Sequence, residues 1–475
     1  MFVGRSQELG TLNRLYAKRG FQMVVLYGRR RVGKTTLIDE FAKDKPTLYF
    51  TAKQQSDVLN LRELSRKIIA FFDLPASTPL FGTWPDALDY IAQHAMSHPR
   101  YAEAGPMVFV FDEFPYAAAM NRSLPSVMQI AIDHGFKDTD ATMILSGSNE
   151  GFMESEVLSE KSPLYGRRTA QIKLQPFDYA DAALMLPSTP PERAVEYYAT
   201  FGGTPYYLEQ IDESISYQDN LLELCFSPSG LLFNEPMMLL REELREPALY
   251  NSILQAIANG ASSLKTIAEH SGVEYTSVGK YTRTLEELGL AARIVPFGDV
   301  PSKSRKGRYV IRDLFFAYWY RFVNENTESI ETGAGHAAAQ DAAFTDAFDT
   351  YVGQQFETVC LQWLLRANRE GQLPFLATRF GKWWGTDPRA REQTDIDVIA
   401  ANPRHRALLA GECKWRNSLN VAATVDTLRS RAQILPGYDE RHLALFVKTE
   451  ELAQVARQRY GDALLVRSVT ELFDR

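Results

Sequence analysis

Cysteine is scarce. The three in 475 residues, Cys225, Cys360 and Cys413, are too few for a disulfide framework and too far apart for a CxxC metal pair, so free thiols are expected. Histidine is almost as rare, at seven. Only His94 and His98 sit four apart, and without the glutamate of HExxH a polar helix face explains them better than zinc. No apolar run reaches the roughly 18 residues of a membrane helix, and the opening MFVGRSQELG lacks the basic-then-apolar form of a secretory leader. A cytoplasmic protein with no membrane partner is expected. A general positive charge is missing too: the net charge is −7, which makes no global case for nucleic acid. Residues 350–475, however, carry 18 Lys and Arg against 15 Asp and Glu, or +3, leaving −10 for residues 1–349. A polyanion partner would meet the C-terminal part.

What remains is an ordinary globular composition, 45% apolar and 23% charged, which excludes wholesale disorder and collagen-like repetition. At roughly 100–200 residues per domain the length suggests about three domains.

The apolar run at 21–27 (FQMVVLY) reads as a buried parallel strand and ends at GRRRVGKTT, residues 28–36, followed by helical spacing at 37–41. Strand, G-x-x-x-x-G-K-T and helix together form a phosphate-binding loop. Its glycines let backbone N–H groups curl around phosphates, and the helix N-terminus adds partial positive charge. Gly28, Val32, Gly33, Lys34, Thr35 and Thr36 are the expected nucleotide contacts, with Lys34 on the β- and γ-phosphates and the Thr35 hydroxyl on Mg²⁺. Arg29, Arg30 and Arg31 read most simply as solvated loop cations. A second strand, 107–111 (MVFVF), ends in Asp112 and Glu113. A carboxylate there faces the ligand crevice, so Asp112 suits Mg²⁺ and Glu113 suits polarising the attacking water. The run 142–149 (TMILSGSN) brings Ser148 or Asn149 beside the γ-phosphate, although turn capping explains them equally. Arg167 and Arg168 offer guanidinium groups for transition-state charge, in cis or across a subunit interface, with simple ion pairing as the alternative.

These motifs resemble the AAA+-related P-loop ATPases, and more narrowly a prokaryotic ATPase family first described from archaea, close to the STAND clade. Phe2-Val-Gly-Arg5 with Glu8 and Leu9, the GRRRVGKT loop, FDEF, LSGS and PLYGRR at 163–168 carry the resemblance. It continues into FGGTPYYL at 201–208, similar to that clade's lid element. The resemblance implies that Val3 and Arg5 line an adenine pocket, that Pro205 packs on the base, and that ATP with Mg²⁺ is the cofactor. Turn chemistry alone also explains Gly203 and Pro205.

Residues 176–246 have helical spacing broken by Pro and Gly and read as a lid. Three short helices at 249–258, 263–270 and 276–288, then a strand pair around KSRKGR (303–308), give the layout of a winged helix-turn-helix within 247–312. Its wing holds four cations that suit phosphates. Glu286 and Glu287 keep the third helix from being a basic stripe, so a structural role stands beside DNA contact. Residues 313–322 read as aromatic core. The Ala- and Gly-rich stretch 326–345 reads as a weakly specified connection, within a connecting segment 313–349.

In the last part, 350–475, Glu357 sits on a helix. TDIDVIA (394–400) alternates as a strand, and LLAGECKW (408–415) follows it. Period two puts Asp395 with Asp397 on one face and Glu412 with Lys414 on another, so adjacent strands can converge Asp397, Glu412 and Lys414. Like carboxylates so close repel unless a cation joins them, and carboxylate oxygen suits Mg²⁺ or Mn²⁺. The D…ExK pattern with Glu357 upstream is similar to the PD-(D/E)xK nucleases, and GECKW to the nuclease-like domain fused to these ATPases. That resemblance selects Asp397 over Asp395 as the ligand, with Glu357 and Glu412. The fold class expected is therefore α/β: a P-loop ASCE/AAA+-like parallel sheet in 1–175, the helical lid, the winged helix, and a C-terminal restriction-endonuclease-like α/β domain. The function expected is an ATPase driving a DNA-acting, nuclease-like effector. The rival is an ATP-dependent oligomeric scaffold that binds nucleic acid or a partner without cutting.

Overall fold

The computed structural model describes residues 2–97, 105–343 and 345–474; His98 lies outside them. The chain forms two compact units, Met1–Pro176 and Phe177–Arg475.

The first unit is built on five parallel strands: β1 (Gln22–Tyr27), β2 (Thr47–Thr51), β3 (Val108–Asp112), β4 (Thr142–Gly147) and β5 (Ala170–Lys173). Their order is β2-β3-β4-β1-β5. β1, β3 and β4 are buried along their whole length, which is why they read as unbroken apolar runs and not as alternating ones. Alternation still divides the core. Val24 and Leu26 face a cluster with Leu12 and Leu15 of α1 (Ser6–Tyr16) and Leu37, Ile38 and Phe41 of α2 (Lys34–Ala42). Met23 and Val25 face Leu64, Leu88 and Met128, from α3 (Asp57–Phe71), α4 (Trp84–His94) and α5 (Leu124–His134). Each such side chain contributes about 1.5–3 kcal/mol by leaving water, so the sheet is held from both faces. His94 stacks on Tyr90 within α4. Because the strands are parallel, the ends of β1, β3 and β4 open on one edge, where such folds bind ligands.

The second unit begins with helices. α6 (Pro191–Phe201) is followed after a tight turn by α7 (Pro205–Leu208), whose Pro205 is buried at the first helical position. Then come α8 (Pro247–Ala258), α9 (Leu264–Ser271) and α10 (Tyr275–Glu287), and an antiparallel ribbon of β6 (Ala291–Ile294) and β7 (Arg308–Ile311). Phe315, Phe316, Tyr318 and Tyr320 are buried. The stretch expected to be weakly specified is instead mostly helical between Thr327 and Ala343, with a kink at Gly333. Ala338, Ala339, Ala342 and Ala343 are buried there, so its small side chains serve close helix packing. The long helix α11 (Asp346–Arg369) leads into a mixed sheet, β12-β11-β10-β9-β8. Its strands are β8 (Arg379–Thr386), β9 (Gln393–Asn402), β10 (Ala407–Lys414), β11 (Glu440–Val447) and β12 (Leu465–Ser468). β9 runs antiparallel to its neighbours β8 and β10, and β10, β11 and β12 are parallel. α12 (Val421–Ala432) covers one face through Val425 and Leu428.

Candidate functional site

In the first unit, residues 28–33 turn β1 into α2. Gly28 and Gly33 have φ of 154° and 90°, a region that side-chain-bearing residues avoid, and a Cβ on Gly28 would collide with the Leu174 carbonyl. Lys34 is only 6% exposed. Its Nζ donates to the carbonyl oxygens of Gly28 (2.7 Å) and Arg29 (3.0 Å), which draw the ammonium into the loop. A phosphate oxygen makes the stronger, charge-assisted bond and can replace them. Val32 is buried, whereas Thr35 and Thr36 are exposed on the first turn of α2. Arg29, expected to be solvated, is 4% exposed, and Arg30 donates to the Tyr116 hydroxyl.

Asp112 ends β3 with 5% exposure. The Tyr49 hydroxyl donates to it at 3.3 Å. Asp39, one turn after Thr35, has its carboxyl pushed up by burial and by the charge of Asp112. Glu113 adopts φ 49°, and its carboxylate accepts from both the Ser148 hydroxyl and the Ser148 N–H. Asn149, the alternative to Ser148, caps a short helix by accepting the Phe152 N–H at 2.8 Å. Arg167 is committed to Asp133 through two bonds of 2.9 and 2.7 Å. Arg168 lies over the Tyr165 ring and donates to Leu158 O (3.2 Å). Arg5, 7% exposed, donates to the carbonyls of Val32 (3.0 Å) and Gln175 (2.7 Å). Its guanidinium thus straps the phosphate-binding loop to the segment after β5, while Val3 is half-buried beside it in sequence. Neither Tyr49 nor the strap role of Arg5 was visible in a motif, because both depend on contacts between distant segments.

The second unit holds a cavity of about 760 Å³ lined by Glu357, Asp395, Asp397, Glu412, Lys414 and Arg431, among others. Four elements line it: α11, β9, β10 and α12. Asp397 and Glu412 are 7% and 6% exposed. Asp397 accepts the Cys413 N–H at 2.9 Å. Lys414 Nζ is 2.6 Å from Glu412 and 3.7 Å from Asp397, and Arg431 reaches Glu412 at 3.5 Å and Asp395 at 3.8 Å. Lys382 pairs with Glu357 and lies 3.9 Å from Asp395. Burial, then the charge of Asp397, pushes the Glu357 carboxyl up to about 7 and raises that of Glu412. Burial opposes the charge on Lys382 and Lys414, but the facing carboxylates outweigh it and hold both above the ordinary lysine range. Cys413, which lines the cavity, and Cys360 are buried free thiols close enough to influence each other's ionisation, a proximity their sequence separation concealed.

Glu357, Asp397 and Glu412 converge on the cavity, yet among the described residues no three His, Cys, Asp or Glu side chains stand in a metal-binding arrangement. Lysine and arginine groups occupy the space between the carboxylates and supply the neutralising charge. Lys382 and Arg431 went unnoticed in the sequence, since no fixed spacing links them to D…ExK.

A parallel sheet with a phosphate-gripping turn after β1 and an acidic pair after β3 defines the first unit as a P-loop ATPase domain. Residues 2–211 match the model of an ATPase domain predominantly from Archaea. Residues 319–425 match a family described as archaeal and bacterial proteins of unknown function. An uncharacterised protein of Methanocaldococcus jannaschii is 29% identical over 417 residues, 88% of either chain. An uncharacterised ATP-binding protein of the same organism is 49% identical over 45 residues, 10% of this chain and 76% of that protein. Among solved structures, a Walker-type ATPase of Pyrococcus abyssi is 20% identical with a TM-score of 0.48, covering 67% of this chain and 96% of its own. No helix among the described residues is long and apolar enough to cross a membrane.

Proposed function

We propose that ATP binding and hydrolysis in the first unit govern a metal-dependent phosphodiesterase in the second, acting on DNA. Lys34 exchanges its two carbonyl partners for phosphate oxygens, Thr35 and Asp112 hold Mg²⁺, and Glu113 turns from Ser148 to the attacking water. Val3, Arg5 and Pro205 are assigned to the adenine and Arg168 to transition-state charge, its action across a subunit interface requiring a homo-oligomer. In this reading the chain divides into ATPase (1–175), lid (176–246), winged helix (247–312), connection (313–349) and nuclease-like domain (350–475).

The observation that carries the effector half is the cavity itself. Four carboxylates are gathered there from three elements, and Glu357 is held partly protonated near neutrality. Such crowding lowers stability and recurs at functional sites. Carboxylate oxygens are the donors that Mg²⁺ and Mn²⁺ prefer, so Glu357, Asp397 and Glu412 would hold the ion once Lys382 and Lys414 swing aside. The bound ion would lower the pKa of a water and offset charge on the phosphate. Lys414, now paired with Glu412, would be the residue placed to orient that water. Incubating the purified chain with DNA and Mg²⁺ or Mn²⁺ tests this: cleavage is expected, and Glu412→Gln should abolish it. Cleavage that survives the substitution would place the chemistry elsewhere.

The lysine-filled arrangement of the carboxylates favours a second reading, in which the cavity grips nucleic acid or a partner without cutting and the chain acts as an ATP-dependent scaffold. Binding without cleavage under every divalent ion would support it.

A further inference from the structure

The loop between β6 and β7 is held in shape from within. The Arg293 guanidinium donates to the carbonyls of Pro301 (2.6 Å) and Ser304 (2.7 Å), and the Ser304 hydroxyl to Asp299 (2.7 Å). Lys303, Arg305 and Lys306 stand on this braced loop, exposed and in no ion pair with any described residue. Three like charges without counter-charges are costly to gather, and a polyanion is the partner that removes the cost.

The same loop is fastened to the sheet that carries the cavity. Phe297 donates its N–H to Lys382 O at 2.8 Å. Its ring lies against Gly381 and packs on the core of that sheet. At the base of the ribbon, the Arg308 guanidinium lies 5.1 Å over the Trp384 ring, and Trp384 is the register partner of Asp395 on β9. Asp395 lines the cavity. Strand β8 therefore connects the two features within four residues. Its Gly381 and Trp384 receive the ribbon, and between them Lys382 reaches Glu357.

We infer that the ribbon and the cavity form one continuous seat for a DNA duplex: Lys303, Arg305 and Lys306 hold backbone phosphates while a phosphodiester of the same duplex lies at the cavity mouth beyond Arg308 and Trp384. A duplex is favoured over single strands because single-strand sites offer aromatic faces for bases to stack on. Here Trp384 is 7% exposed and Trp383 and Phe297 pack on the core. The binding half stands on the ribbon alone. Only the placement of a scissile bond rests on the phosphodiesterase reading.

The test uses the full chain and a labelled DNA duplex, followed by anisotropy across a salt series. Replacing Lys303, Arg305 and Lys306 together by alanine removes no packing contact, so the fold and DNA-free ATP hydrolysis should be unchanged. Duplex affinity should fall at least about tenfold, and the salt dependence should become shallower by roughly 2–3 counterions at about 0.9 per phosphate contact. In a cleavage assay the triple variant should raise KM and leave kcat intact. Loss of binding in the triple variant with no cleavage by wild type would sink the phosphodiesterase reading and keep the ribbon. Equal duplex affinity and salt slope in wild type and variant, no duplex binding by wild type, or tighter wild-type binding of single strands would each overturn the seat.

Discussion

The two sites solve the same problem, a buried charge, in opposite ways. In the first unit the cation Lys34 donates to two backbone carbonyls, uncharged groups that yield readily to a phosphate. In the second unit Glu357, Asp395, Asp397 and Glu412 are each met by a formal cation, and the carboxylates in turn hold Lys382 and Lys414 above the ordinary lysine range. A backbone cradle is ready for its ligand. On the proposed reading, a side-chain cluster would have to be opened before it could take a ligand.

The largest effect that sharpens this contrast is expected from Glu113→Gln. ATP should still bind while phosphate release slows by about 10²–10⁴-fold, the usual worth of a general base; release at the wild-type rate would remove Glu113 from the chemistry. Next is Gly28→Ala. The new methyl meets the Leu174 carbonyl in a region of φ that costs on the order of 1–3 kcal/mol, so thermal unfolding should shift down together with nucleotide affinity. A neutral outcome would mean the loop relaxes freely, and the cradle would not be preformed.

The smallest effect concerns the cavity. Glu357 ionises only near pH 7 in the folded chain, against about 4.3 when unfolded. Between those values the folded state binds more protons, so stability falls as pH rises from about 4.5 to 7 and levels off above. Lys382, Asp395 and Asp397 face this carboxyl, and Glu412 adds a decline of the same sign. Glu357→Gln should flatten part of the slope in denaturant titrations run across that range. Stabilisation by Mg²⁺ should grow with pH over the same window, since ligands must be ionised to bind. An unchanged slope would mean that Glu357 is solvated and charged throughout.

The same contrast governs what could be read from the sequence. The phosphate-binding loop was legible because its parts are contiguous: one strand, one turn and one helix fix Gly28, Gly33 and Lys34 by local geometry. Asp112 and Glu113 followed from the end of an apolar run. Asp397, Glu412 and Lys414 were legible through period-two alternation on neighbouring strands. Lys382, Arg431, Tyr49 and the Cys360–Cys413 proximity were not, because each is brought in by a separate element and no spacing encodes tertiary distance. The alanines near 338–343 were misjudged for a related reason: small side chains suit a loose connection and a tight helix contact alike, and only the packing decides.

The most direct measurement is a titration of the folded chain with ATP and Mg²⁺, followed by calorimetry, for wild type and Lys34→Ala. Removing one partner of a charge-assisted bond costs about 3 kcal/mol, a factor of roughly 100 in affinity. One nucleotide per wild-type chain, and binding at least that much weaker in Lys34→Ala, is the expected result. Equal affinities, or no uptake by well-folded wild type, would contradict the assignment of the loop after β1 as the nucleotide site.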